Sequence, residues 1–400
     1  MKWMKWGCAL VLTAAMGFPA SAYAEDSKST DLTTRTYGFD TIDETLVLQS
    51  ALFTYQSGLT FEYPDAVRGI YVTGHSAGGA RFERLTNLIE QTELNTMVID
   101  IKDDLGNLTY IPADDSPLKQ LDIGKPYIKD PNVMLKTLEE KKIYPIARVV
   151  VFKDSVLAEN RPDLSFMDGN AVWENRRGDS FVNPFMKEVW DYNVQIAIEA
   201  AKMGFQEIQF DYVRFPEGFE KRHDVLGYSL GQYEDSDLDP VQRRVEAVTD
   251  FVAYAKKQLE PYGVDVSVDI FGYSATLPEA PGIGQNFSKI SENVDVISSM
   301  IYPSHWTSYF GIAKPDLEPY QLVDAYAKVE NTKLDELKNR PTSRPWLQDF
   351  TASWLGSGNY LKYGKKEVEA QIKALQDNGI HEFLLWNAGN TYTENVDYTP

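Results

Sequence analysis

Cysteine is nearly absent from this chain of 400 residues: the one present, Cys8, lies inside an apolar N-terminal stretch. Once that stretch is removed the chain can form no disulfide, carries no thiol nucleophile and offers no cysteine to a metal. Histidine is almost as scarce. His75, His223, His305 and His381 are the four, and none has the paired spacing that a metal-dependent amidohydrolase places on its first strand. A Gly-rich phosphate loop followed by Lys-Ser or Lys-Thr is also missing, which removes support for nucleotide chemistry. Beyond the N-terminus no run is long and apolar enough to span a membrane.

What is present begins with a leader. Lys2 and Lys5 precede an apolar run from Gly7 to Phe18, and Ala22-Tyr23-Ala24 before Glu25 forms a small-residue cleavage site, the pattern of a secretory signal peptide over residues 1–24. Cys8 sits far from the end of the apolar run, which argues against a lipid anchor. Loss of Lys2 and Lys5 leaves 37 basic against 59 acidic side chains, a formal charge of −22. Such a surface repels nucleic acid and anionic membranes and suits solubility outside the cell. With 43% apolar residues, the chain can build a large core without covalent staples.

Residues 25–36 are rich in Ser, Thr and Asp and read as a disordered tail. Residues 37–64 either wrap the floor of the following domain or form a small lead-in element. From residue 65 to 400 the pattern becomes regular. Strand-like runs occur at 68–73, 96–102, 143–152, 206–213, 264–271, 294–302, 344–350 and 382–387. Helical patterns fall near 79–92, 131–141, 184–203, 240–260, 284–292, 318–338 and 365–378. This alternation predicts a closed (β/α)8 TIM barrel. In Val264-Asp265-Val266-Ser267-Val268-Asp269-Ile270 the aliphatic residues share one face and the polar ones the other. The polar face is expected inside the barrel, and the same parity places Gln209 with Asp211, and Asp100 with Lys102, inward.

The active face of such a barrel lies at the strand C-termini. Phe210-Asp211-Tyr212-Val213-Arg214-Phe215-Pro216 puts a carboxylate and a guanidinium at that point of the fourth strand. Carboxylates among Trp and Tyr suit sugars: aromatic faces stack on pyranose C–H surfaces, and paired acids cleave the acetal. Asp211 and Asp269 are the expected catalytic pair. Asp100, Lys102, Arg148, Arg214, Tyr302, Trp306, Gln348, Asp349, Trp386 and Asn387 are the expected substrate-binding residues. Arg214 or Arg148 is expected to hold Asp211 ionised. No metal or other cofactor is implied.

Three stretches resemble successive motifs of the bacterial putative glycosyl hydrolase domain family: Arg68-Gly69-Ile70-Tyr71-Val72-Thr73, Val98 to Asp104 with Gly106, and Ile146 to Asp154. A longer block, from Asn183-Pro184 through Gly204-Phe205 to Pro216, is similar to that family's most specific motif. The resemblance covers about residues 65–390. It implies a glycosidase-type barrel distantly similar to the α-amylase clan, in which Asp211 matches the usual position of a catalytic carboxylate. That clan places a Glu at the end of the fifth strand, whereas this chain has Asp269, which makes Glu217 a competing proton donor.

The expected activity is cleavage of an extracellular or cell-wall polysaccharide by a secreted glycosidase. A non-catalytic glycan-binding barrel is the alternative. A third reading rests on Gly74-His75-Ser76-Ala77-Gly78, which matches the nucleophile elbow of serine esterases. An elbow normally follows several strands and an oxyanion loop, and His381 lies at the wrong end of the last strand for a triad. Asp235, Asp237, Asp239 and Glu246 have calcium-loop spacing, but Pro240 replaces the required Gly. Asp239 as a helix cap with Pro240 in the first turn is the expected role.

Overall fold

The structure, a computed structural model, describes residues 54–399. The expected leader peptide and the expected tail lie outside the described residues, as does the start of the lead-in segment. Eight parallel strand positions form a closed barrel: β1 (Arg68–Val72), β2 (Thr96–Lys102), β3 (Tyr144–Val150), β4 (Glu207–Asp211), β5 (Asp265–Phe271), β6 (Val296–Met300), β7 in two pieces (Thr342–Ser343 and Trp346–Gln348), and β8 (Phe383–Trp386). β8 pairs with β1, and Trp346 of β7 pairs with Met300 of β6, so the sheet has no free edge. The fold class read from the alternation is the one observed.

The helices between the strands include α1 (Arg81–Glu90), α2 (Pro131–Glu140), α3 (Lys187–Met203), α4 (Pro240–Leu259), α5 (Phe287–Ser291), α6 (Pro319–Asp335) and α7 (Lys365–Asp377). Their ends follow local chemistry. Asp239 Oδ1 accepts from the amides of Val241 (2.8 Å) and Gln242 (3.0 Å), and Pro240 opens α4 where an N–H would lack a partner anyway. Asp130 caps α2 in the same way ahead of Pro131. Gly204 ends α3 at φ 116°, a left-handed conformation that a side chain would strain.

An outer apolar layer lies between strands and helices, and a smaller cluster of Val67, Tyr71, Val98, Tyr144, Ile146, Tyr302, Trp346 and Leu384 fills the barrel. The lead-in segment closes its floor. Arg344 donates to both Glu207 oxygens (2.8 Å) and to Glu382 (2.8 Å), and its remaining nitrogen donates to the Tyr63 hydroxyl (2.8 Å). A buried guanidinium is tolerable only with such complete pairing. Tyr63, from the described part of the lead-in segment, thus lies at the floor beside Arg344 and Glu382.

One inward assignment is corrected. The pairing of β2 with β3 shifts register between Asp100 and Lys102, and a one-residue slip moves a side chain to the other face. Lys102 therefore leaves the barrel and lies under α3, with Nζ 2.6 Å from Asp154 and 2.9 Å from Asn193 Oδ1, 4.9 Å from the Tyr192 ring centre.

Candidate active site

A cavity of about 650 Å³ opens at the C-terminal ends of the strands. Asp211 and Asp269, from adjacent strands, share its base with Arg148, Tyr302, Trp346 and Trp386. Arg214, Trp306, Tyr273 and Tyr309 contribute walls. The volume is that of a small-molecule or oligosaccharide site.

Arg148 organises the carboxylates. Its Nε and Nη2 donate to Asp211 Oδ2 (3.0 and 2.6 Å), Nη1 donates to Asp100 Oδ1 (2.7 Å), and Nη2 also reaches Asp104 Oδ1 (2.8 Å). The guanidinium is 1% exposed and lies 5.4 Å from the Tyr71 ring centre and 5.3 Å from that of Trp386. These two rings stack at 4.0 Å. Tyr71 donates its hydroxyl to Asp100 Oδ2 (2.5 Å). Burial, against the pull of Arg148, pushes the Asp100 carboxyl up to about 6.

Asp211 is held as the ion-pair partner of Arg148, and its Oδ1 accepts from the Tyr212 amide (2.6 Å). That contact uses an unusual backbone. Tyr212 has φ 53°, a conformation uncommon for a bulky residue and concentrated at functional sites.

Asp269 sits in a different environment. It is 1% exposed, and its Oδ1 accepts the indole N–H of Trp346 (2.7 Å). Burial, reinforced by the neighbouring charge of Asp211, holds its carboxyl well above the usual carboxylate range, while Arg148 and the Trp346 N–H pull the other way. Two carboxyl groups in one cavity thus differ in their partners: Asp211 meets a guanidinium and Asp269 an indole N–H, both nearly free of solvent.

Of the expected binding residues, Arg148, Arg214, Tyr302, Trp306 and Trp386 line the cavity. Asp100 supports Arg148 from behind. Lys102, Gln348, Asp349 and Asn387 are outside the cavity lining. Gln348 ties loops together, accepting from Ser304 N (3.0 Å) and donating to Asp316 Oδ1 and Phe350 O (3.0 Å each). Asp349 accepts from the backbone and hydroxyl of Thr393, and Asn387 donates to Asp349 O and Thr391 O. Tyr273 and His305, polar or aromatic groups that the sequence offers at the ends of the fifth and sixth strands, line the cavity too, and lining residues that sequence reading did not assign include Asp104, Arg177, Tyr212, Phe271, Tyr309 and Trp346. Asp104 and Tyr212 lie within the stretches that carry the family resemblance, and Trp346 falls two residues after Arg344 on a period-2 strand. Glu217 lines the rim and pairs with Arg214 at 3.4 Å.

The elbow-like motif forms a short helical turn, Gly74–Ala77, after β1. Ser76 is buried, its Oγ accepts from Thr73 Oγ1 (3.2 Å), and the His75 ring packs against Tyr127 at 3.7 Å.

A family model described as "Putative glycosyl hydrolase domain" matches residues 69–392. Among curated proteins, none matches the sequence. Among solved structures, the glycoside hydrolase domain of PgaB (BpsB) from Bordetella bronchiseptica is 14% identical, covering 81% of this chain and 94% of that one, with a TM-score of 0.54. A hypothetical protein from Ruminiclostridium thermocellum is 33% identical, covering 50% of this chain and 96% of that one, with a TM-score of 0.43.

Proposed function

This chain belongs to the putative glycosyl hydrolase domain family, and from that premise we propose that it is a secreted glycosidase that cleaves an extracellular or cell-wall polysaccharide with Asp211 and Asp269. The observation that carries the reading is the contrast between the two carboxyl groups: Asp211 ion-paired with Arg148, Asp269 buried beside it on the Trp346 indole N–H, with its carboxyl held well above the usual carboxylate range.

Hydrolysis of an acetal needs a proton on the leaving oxygen and negative charge near the sugar carbon as it becomes cationic. Asp269 supplies the proton. Asp211 supplies the charge, as nucleophile or as base for a water, with Arg148 fixing its carboxylate plane. Tyr302, Trp306 and Trp386 offer ring faces for the apolar C–H surfaces of sugars. The Tyr302 hydroxyl stays protonated, because burial pushes it up and the charge of Asp211 adds to the rise. A second carboxyl group within the cavity favours the enzyme over the non-catalytic glycan-binding barrel.

The test is turnover on a panel of soluble polysaccharides by the wild type, Asp211→Asn and Asp269→Asn. Each substitution should reduce cleavage by several orders of magnitude while circular dichroism stays unchanged. Near-normal cleavage by Asp211→Asn would refute the assignment.

A further inference from the structure

Trp354 is 64% exposed, the largest side chain left open to solvent among the exposed apolar residues described. It ends a chain of ring contacts that begins beside the catalytic carboxylates. Trp386 and Tyr302, both in the cavity, have ring centres 6.4 Å apart. Tyr302 meets His305 at 5.3 Å and Phe350 at 5.9 Å. His305 lines the cavity and meets Trp354 edge-on at 6.3 Å, and Phe350 stacks against Trp354 at 5.9 Å and 23°. The aromatic wall therefore continues out of the cavity and over its rim.

The loop carrying Trp354 is anchored. It leaves β7 at Gln348, whose side chain holds Phe350 O, and Ala352 is fully buried. On the return, Leu361 N donates to Asp316 Oδ2 (3.1 Å) and Tyr363 N to Thr351 Oγ1 (3.1 Å). At the loop's outer turn, Asn359 donates to Leu355 O (3.0 Å) and Lys314 to Gly358 O (2.8 Å). A floppy loop could expose an indole incidentally. This one fixes it, with one face supported by Phe350 and the other open, so a ligand stacking there need not first order the loop.

We propose that Trp354 is a sugar-binding platform outside the cavity, occupied by residues of a glycan chain whose scissile bond lies over Asp211 and Asp269. The inference rests on the glycosidase reading and deepens it: the substrate is a polymer that runs past the cavity mouth. A flat, amphipathic ring suits the C–H face of a pyranose, and continuity with the rings of the cavity identifies the occupant as the same chain.

Binding can be measured without cleavage in the Asp211→Asn background, by affinity electrophoresis through gels containing carboxymethyl cellulose, xylan, laminarin, glycol chitin or pectin. Adding Trp354→Ala should weaken retention by the best-bound polysaccharide by about tenfold, and Trp354→Phe should restore part of it. Because Trp354 is exposed, an unchanged melting temperature is expected and is checked alongside. Equal retention with and without the indole overturns the proposal and leaves Trp354 to another partner, such as a second copy of this chain. Absence of retention by every polysaccharide overturns it as well. Binding that depends on Trp354 with no cleavage by the wild type would instead remove the glycosidase reading and leave the platform standing.

Discussion

Arg148→Met isolates the electrostatic core of the site. Methionine fills much of the same volume but removes the cation that contacts Asp211 twice and Asp100 once within the barrel. Asp104 matters less, because its side chain is 42% exposed and Lys153 lies within 3.4 Å. Asp211 would keep only the Tyr212 amide, and Asp100 only the Tyr71 hydroxyl. Leaving buried carboxylates without their cation costs about 3–5 kcal/mol. The sign of the pH dependence follows from Asp100. Its carboxyl already stands at about 6 with Arg148 beside it, above the unfolded value of about 3.9, so its ionisation opposes folding as pH rises from the unfolded value through the folded one. Without Arg148 the folded value climbs further, and the extra penalty develops above about pH 6 at about 1.4 kcal/mol per unit of climb. Equilibrium urea unfolding of both proteins at pH 5 and pH 8, followed by tryptophan fluorescence, measures it. The destabilisation should be larger at pH 8. A loss below about 1 kcal/mol, or one equal at the two pH values, would refute the account of Arg148 as the charge that holds the carboxylates in place.

Trp346→Phe removes the N–H that stabilises the charged form of Asp269, so the acid should hold its proton to higher pH and the alkaline limb of kcat/KM should move upward by about one unit; a limb that stays or moves down would exclude Asp269 as the donor. Ser76→Ala should leave polysaccharide cleavage within about twofold of wild type, since Ser76 is buried with Thr73 as partner, and a fluorophosphonate probe should not label it; labelling would restore the esterase reading.

The strand and helix pattern was legible because each strand buries an aliphatic face under helices while its other face alternates, and because Asp-Pro pairs and Gly204 mark helix ends by purely local geometry. Parity put Asp211 and Asp269 on the inner face, the strand end suggested Trp386, and Arg148 entered as a candidate ion-pair partner of Asp211. Parity also explains the failures. Lys102 was assigned inward, and the irregularity after Asp100 reverses it; a bulge depends on pairing with the neighbouring strand and leaves no periodic trace. Asp349 and Asn387 lie at strand ends, where the period-2 rule stops and Thr393, distant in the fold until the chain closes, takes up the hydrogen bonds of Asp349.

By itself, then, the sequence determined the barrel, the face that carries chemistry and two acids on adjacent strands, since these follow from short-range periodicity and backbone preference. Only the tertiary structure decided which partner each acid meets. That choice depends on Arg148 reaching Asp211 across β3 and β4, and on the Trp346 indole and surrounding burial enclosing Asp269 from β7. Charge and desolvation act over a few ångströms in space, between residues up to 77 positions apart along the chain, and no local pattern encodes them.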